Sequence, residues 1–263
     1  MIAFAFRNIF LCFLIASFLA ATAAAPAGAQ NMSPKASAES PLLKAEREKI
    51  ESVVRDYILE NPEIIIQAIQ SLREREERDS RDRAQANLVK LQGELLNDPD
   101  TPVGANPKGD VTIVEFFDYR CGFCKRVFPD IVKLIDNDKN IRFVYKEFPI
   151  LGPDSVTASK AGLAAWILDN SKYEAFHKIM MVAKGALPES QVMSYAAKSG
   201  YDTKALKKIM QEPRINALIE KNFNLAKALD INGTPAFIIG NEVIRGAVDL
   251  KTLKTLVSQA RGS

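Results

Sequence analysis

The sequence is poor in histidine and cysteine, with one His and three Cys in 263 residues. A structural zinc site normally takes four such ligands, so a metal clip has little to draw on and no metal ligand set is assigned. The sequence also lacks a large charge of either sign. At a formal net charge of +3 it carries no electrostatic footprint for nucleic acid, and no nucleic-acid partner is expected. The apolar stretch Ile9 to Ala20 is short for a membrane span of ~20 residues and runs into Ala, Pro and Gly. No internal repeat is present.

What is there begins with a segment that reads as a leader. Arg7 precedes the apolar stretch, and small residues follow it. This is the layout of a secretory signal peptide over residues 1–29, with Ala27-Gly28-Ala29 as cleavage site and Gln30 first in the mature chain. The expected location is the periplasm, across the inner membrane. Cys12 leaves with the signal. The mature chain then holds two cysteines, Cys121 and Cys124, in an oxidising compartment.

Residues 30–41 are rich in Ser, Ala and Pro and read as a disordered start. Residues 42–96 read as helical. Leu43, Ile50, Val53, Val54, Tyr57 and Ile58 recur at near-helical spacing. Asn61-Pro62 marks a stop and restart, with Asn61 as N-cap of a second helix. Arg73 to Arg83 holds five Arg and five Asp or Glu among eleven residues and no apolar anchor. It reads as a solvated semi-rigid linker helix, with an exposed helical turn as the alternative. So small a helical region buries little alone and calls for a partner, either the main domain or another copy of itself. Residues 97–109 read as a loop.

Residues 110–263 read as one α/β domain. The expected elements are a buried strand Val111 to Phe117, a helix Gly122 to Asp136 and a strand Ile141 to Phe148. A helical block from Asp154 to Asp230 follows. It is broken at Asp169-Asn170, Gly185 to Pro188, Gly200 and Pro213. Strands Ala236 to Ile239 and Glu242 to Ile244 come next, joined at Gly240-Asn241, and Asp249 to Ala260 is a closing helix. The order strand, CxxC, helix, strand, helical block, Pro-led hairpin, helix is that of a thioredoxin-like fold with a helical insertion.

Cys121 precedes the first turn of a helix, where free N–H groups and the helix dipole favour a thiolate. Cys124, one turn on, is placed to attack a mixed disulfide formed by Cys121. Cys121 is therefore assigned as nucleophile and Cys124 as resolving thiol. A structural disulfide over so short a loop adds little stability. His177, among apolar residues on a helix, reads as a core histidine. Thr234-Pro235 enters a strand. Alone it fits a trans proline on an edge strand; with the CxxC upstream, a cis bond is expected.

The segments VEFFDYRCGFC, KEFPILGPDS, YEAFHKIMM and INGTPAFIIG together resemble the DsbA-like thiol–disulfide oxidoreductases, over essentially all of residues 110–263. The helical extension, with VVRDYILENPEIIIQAI, resembles the ScsC-type branch, whose members trimerise through it. The resemblance implies a periplasmic enzyme acting on unfolded or wrongly disulfide-bonded secreted proteins. It implies a homo-oligomer, a trimer by the same likeness, and no cofactor beyond the Cys121–Cys124 couple. Glu115 falls where such proteins keep a buried acid beneath the thiols, able to take the proton of Cys124, with Lys146 as a charged partner. Gly122-Phe123 between the cysteines, and Thr234 before the proline, resemble DsbC-type isomerases more than DsbA. Gly122, Phe123, Thr234 and Pro235 are thus assigned to substrate binding. The expected activity is disulfide isomerase or reductase, kept reduced by a DsbD-type membrane donor. The alternatives are a dithiol oxidase served by a DsbB-type partner, and a copper-tolerance protein using both thiols as soft ligands.

Overall fold

The computed structural model describes residues 41–262. The signal-peptide reading and nearly all of the expected disordered start lie outside them. Two units are resolved, one ending at Pro62 and one beginning at Glu63.

In the first unit, α1 spans Pro41–Glu60, so helix begins at the last residue of the segment read as disordered. Asn61 does not act as expected. Its backbone and side-chain nitrogens both donate to Tyr57 O at 2.9 Å, which closes α1 rather than opening the next helix. Leu43, Ile50, Val53, Val54, Tyr57 and Leu59 are exposed on this helix.

The second unit opens with α2, Glu63–Lys90, one unbroken helix through the charged run. Its only acid–base contact in that run is long, Arg78 to Glu74 at 3.9 Å. The run is not a free spacer at its far end. Ser80 donates to the Asp230 carboxylate, Asn87 donates to Ala228 O, and Ala84 and Leu88 are buried. Polar anchors, invisible to an apolar count, begin the docking one turn before the first buried side chain.

Helix α3, Gln92–Leu96, follows. A short strand β1, Val103–Ala105, then lies inside the segment read as loop. It pairs antiparallel with β3, an edge too short and Gly-containing to show in a hydrophobic pattern. The sheet order is β1-β3-β2-β4-β5. Strands β2 (Val111–Phe117) and β3 (Ile141–Glu147) are parallel, linked through α4 (Gly122–Asn137). Strands β4 (Ala236–Ile239) and β5 (Glu242–Arg245) form an antiparallel hairpin, and β4 is antiparallel to β2. The helical block resolves into α5 (Pro153–Leu168), α6 (Tyr173–Val182), α7 (Glu189–Lys198), α8 (Thr203–Met210) and α9 (Pro213–Ala228). Helix α10, Leu250–Gly262, closes the chain.

Side chains alternate across the sheet. Ile113 and Phe117 of β2 join a core with α4, α10 and the helical block. Val114 and Phe116 join a second core on the other face, with Leu88, Leu95 and the end of α9. The strands are buried on both faces, which is why they read as continuous apolar runs.

Candidate active site

Strand β2 ends at Phe117 and the chain turns through Asp118-Tyr119-Arg120 into α4. Cys121 is the N-cap residue of α4, with extended dihedrals, and its N–H donates to Asp118 O at 3.0 Å. Cys124 is fully buried, whereas Cys121 keeps a 6 % exposed edge. Both are free thiols.

The environment separates the two chemically. Cys121 is lowered to about 5, chiefly by the hydrogen bond from Cys124, then against burial by Thr234 and by the N–H groups of Cys124 and Phe123 at the helix start. Cys124 is pushed far above the ordinary thiol range, first by burial, then by its bond to Cys121 and the charge of Glu115. One thiol is poised to be a thiolate and the other to stay protonated.

The hairpin strand approaches from the other side. The Thr234-Pro235 bond is cis, as expected. The Cys121 thiol donates to Thr234 O at 3.2 Å. A thiolate cannot make that bond. The Thr234 hydroxyl, buried and otherwise unpaired, is the donor available to the ionised sulfur.

Glu115 lies buried at 1 % exposure, with Oε1 unpaired. Burial, and then the Cys121 charge, raise it to about 8. The expected partnership with Lys146 is not formed. Glu115 is registered against Tyr145, and Lys146 against Phe116. Neighbours in a strand face opposite ways, so Lys146 points into the other core. There its ammonium donates to Glu94 O at 3.0 Å and Thr101 Oγ1 at 2.9 Å.

Gly122 is exposed, and a Cβ built on it meets nothing within 4 Å, so the approach to Cys121 is open there. Phe123 is 55 % exposed, with the Arg126 guanidinium 4.9 Å above its ring. His177 is a core residue. Its Nδ1 lies 2.9 Å from Tyr119 OH among aromatic rings, and burial lowers it to about 3. Among the described residues, no group of three or more His, Cys, Asp or Glu is placed to hold a metal ion.

Residues 112–258 match the DSBA-like thioredoxin domain. The chain belongs to that family. Its thioredoxin-like domain is of the DsbA/ScsC thiol–disulfide oxidoreductase type. Residues 46–78 also match the copper resistance protein ScsC N-terminal domain. A thioredoxin-like oxidoreductase from Silicibacter pomeroyi DSS-3 is 42 % identical, with a TM-score of 0.62 over 65 % of this chain and 98 % of that one. The catalytic domain of Proteus mirabilis ScsC is 27 % identical, with a TM-score of 0.63 over 68 % and 99 %. Disulfide bond formation protein D of Bacillus subtilis is 25 % identical, over 60 % of this chain and 76 % of its own. The Na(+)/H(+) antiporter NhaA 1 of Salinispora arenicola is 25 % identical over 166 residues, and the alignment spans about a quarter of that longer protein.

Two residues of this DsbA-like site carry no sequence signal that sets them apart. Asp118 is fully buried and accepts from Arg120 N at 2.7 Å, Ser155 Oγ at 2.8 Å, Ile150 N at 2.9 Å and Leu151 N at 3.1 Å. It ties the loop after β3 and the start of α5 to the turn before Cys121. Lys125, next after Cys124, reaches across to the end of α6.

Proposed function

We propose that this protein is a periplasmic disulfide isomerase or reductase of secreted proteins, with Cys121 as attacking thiolate and Cys124 as resolving thiol. The observation that carries the exchange chemistry is the asymmetry of the pair: Cys121 is lowered to about 5 at an open helix start, while Cys124 is sealed and protonated. The isomerase direction rests on the likeness of Gly122-Phe123 and Thr234 to DsbC-type isomerases. The Cys121 thiolate attacks one sulfur of a substrate disulfide and the other sulfur departs as a thiolate. The departing thiolate attacks a second substrate disulfide, and the thiolate this frees attacks the substrate sulfur bonded to Cys121. That forms a new substrate disulfide and returns the Cys121 thiolate, which is isomerisation. Alternatively Cys124 attacks the Cys121 sulfur, releases the substrate thiolate and forms the Cys121–Cys124 disulfide, which is reduction. Glu115, in the ionised fraction that grows as pH rises toward about 8, is the base that takes the Cys124 proton. A DsbD-type membrane donor returns two electrons, and no other cofactor takes part. Thr234 and Pro235 flank the substrate strand, with Gly122 and Phe123 at the open edge.

The bare apolar side chains of α1, together with Ile65, Ile66, Ile69 and Leu72 of α2, support self-association, as a trimer by the ScsC likeness. Several copies around one misfolded chain raise the local thiol concentration. Sedimentation of the mature protein with and without residues 42–96 tests this; a monomer in both cases rejects it. The signal-like start supports the location.

The low pKa of Cys121 favours a second reading, a dithiol oxidase re-oxidised by a DsbB-type partner. A stabilised thiolate stabilises the reduced form and makes the disulfide more oxidising. The match of residues 46–78 to a domain named for copper resistance favours a further role, with both thiols as Cu(I) ligands. Refolding of a scrambled-disulfide substrate decides among these. Reshuffling by the reduced protein supports isomerase; oxidation of reduced substrate without reshuffling supports oxidase. Stoichiometric Cu(I) binding with negligible thiol exchange supports the metal role.

A further inference from the structure

The Cys121 peptide group and the end of α6 are joined through one side chain. The Lys125 backbone N–H donates to Cys121 O at 3.1 Å. Its ammonium reaches Ala183 O at 2.7 Å, Met180 O at 3.1 Å and Met181 O at 3.3 Å. An ammonium has three donors, and here they meet the Met180 and Met181 carbonyls in the last turn of α6 and the Ala183 carbonyl just after it. A cation at that end also opposes the negative pole of α6. The segment held in this way carries Val182, exposed at 59 %.

The same ammonium sits in the field of the site. The charged groups that act on it are Asp118, Cys124 and Cys121. Asp118 clamps the opposite wall through Ile150, Leu151 and Ser155. Glu115 adds a carboxyl below, whose charge acts on Cys124 and which is itself raised by the charge of Cys121. Lys125 is thus a cation on which the charges of both thiols and of Asp118 act. If structure alone were needed, a methionine would fill the stem's place and leave the carbonyls to water.

We propose that Lys125 is a positioning residue for thiol–disulfide exchange, which pins the end of α6 to the active-site helix and whose charge sets the balance between the Cys121–Cys124 dithiol and disulfide. The inference rests on the reading of Cys121 as the attacking thiol. Without the ammonium, the Cys121 thiolate loses a counter-charge. The reduced form is then less favoured in the exchange of two glutathiones and the protein disulfide for the protein dithiol and glutathione disulfide.

The test uses the full mature protein with Lys125→Met, Lys125→Gln and Lys125→Arg. Thiolate absorbance near ~240 nm is followed against pH, and the dithiol–disulfide ratio is measured in glutathione buffers. The neutral variants are expected to need about three- to tenfold lower proton concentration to ionise Cys121. Their glutathione equilibrium is expected to shift toward the disulfide by a similar factor, where tenfold is ~30 mV for this two-electron couple. Lys125→Arg is expected to keep both values within about twofold, because it keeps the charge. Neutral variants within about twofold of the wild type in both readouts, with only the melting temperature lowered, overturn the inference and leave a structural clamp. Should neither neutral variant fold, Lys125→Arg decides alone, and a departure beyond about threefold overturns it. A wild-type protein with no thiol ionising below neutral pH overturns the Cys121 reading itself, and is told apart because it is seen before any variant is compared.

Discussion

The Cys121 sulfur lies 3.2 Å from Thr234 O, across 113 positions of sequence. This contact brings the helix start and the Pro-led hairpin into one site. It also separates two roles of Thr234. The carbonyl accepts from the thiol, and the buried hydroxyl is free for the thiolate. Thr234→Val keeps the first and removes the second. We expect Cys121 to rise from about 5 by about one unit, the scale of a single lost hydrogen bond of ~1.4 kcal/mol. A titration of thiolate absorbance reads it, and an unchanged midpoint removes the hydroxyl from the account.

The two thiols should differ sharply toward an alkylating agent at neutral pH. Cys121 has the lowered pKa and the exposed edge, while Cys124 has neither. Mass spectrometry of the reduced protein should find one modification, at Cys121. Cys124→Ser should accumulate a mixed disulfide with substrate at Cys121, and Cys121→Ser should lose all exchange. Equal labelling of both thiols contradicts the asymmetry.

Glu115 gives a pH-dependent stability with a definite sign. Its carboxyl is held at about 8 in the folded protein, against an ordinary 4.5. Between these values the unfolded chain has released the proton and the folded one keeps it. Stability therefore falls as pH rises from 4.5 to about 8, by an amount of the order of 4 kcal/mol. Glu115→Gln removes this slope, so urea midpoints of variant and wild type should diverge with rising pH in the variant's favour. The same variant should release mixed disulfides more slowly near and above pH 8, where Glu115 is ionised and is the acceptor of the Cys124 proton.

His177 acts in the opposite window. Burial lowers it to about 3 from 6.5. The unfolded chain takes up a proton below 6.5 and the folded one does not, so stability falls as pH drops from 6.5 toward 3. His177→Gln, which can still meet Tyr119 OH, should flatten the acid limb of the stability profile. It costs about 1–3 kcal/mol at neutral pH through altered packing.

Gly162 on α5 faces the Glu147 carboxyl and Tyr119 OH, and a Cβ there collides with both. Glu147 is fully buried and held well above its usual range, chiefly by burial. It has little freedom to withdraw. Gly162→Ala should destabilise by about 1–3 kcal/mol despite the better helix propensity of Ala. Thermal unfolding measures this, and a stabilised variant contradicts the close approach.

Much of this arrangement was legible in the residues. The buried strands announced themselves as apolar runs, and the breaks at Gly185 to Pro188, Gly200 and Pro213 separate real helices. The CxxC at a helix start carried its own chemistry. Strand β1 was not legible, because three residues with a central Gly, held only by pairing to β3, have no pattern to read. The docking at the far end of the charged run of α2 was not legible, because its anchor is a hydroxyl, Ser80, bonded 150 positions away. Lys146 was paired with Glu115 on likeness alone, and strand alternation sends it into the other core.

The sequence by itself determined the class of chemistry. Two thiols three positions apart at a helix start point to thiol exchange as their main use, because local helix geometry presents one and withdraws the other. Only the tertiary structure decided the tuning. Which acid is buried, which hydroxyl meets the thiolate, and that Asp118 and Lys125 clamp opposite walls all depend on charges and carbonyls brought together from distant segments. Burial and Coulomb interaction act through space, and the order of residues along the chain does not encode those distances.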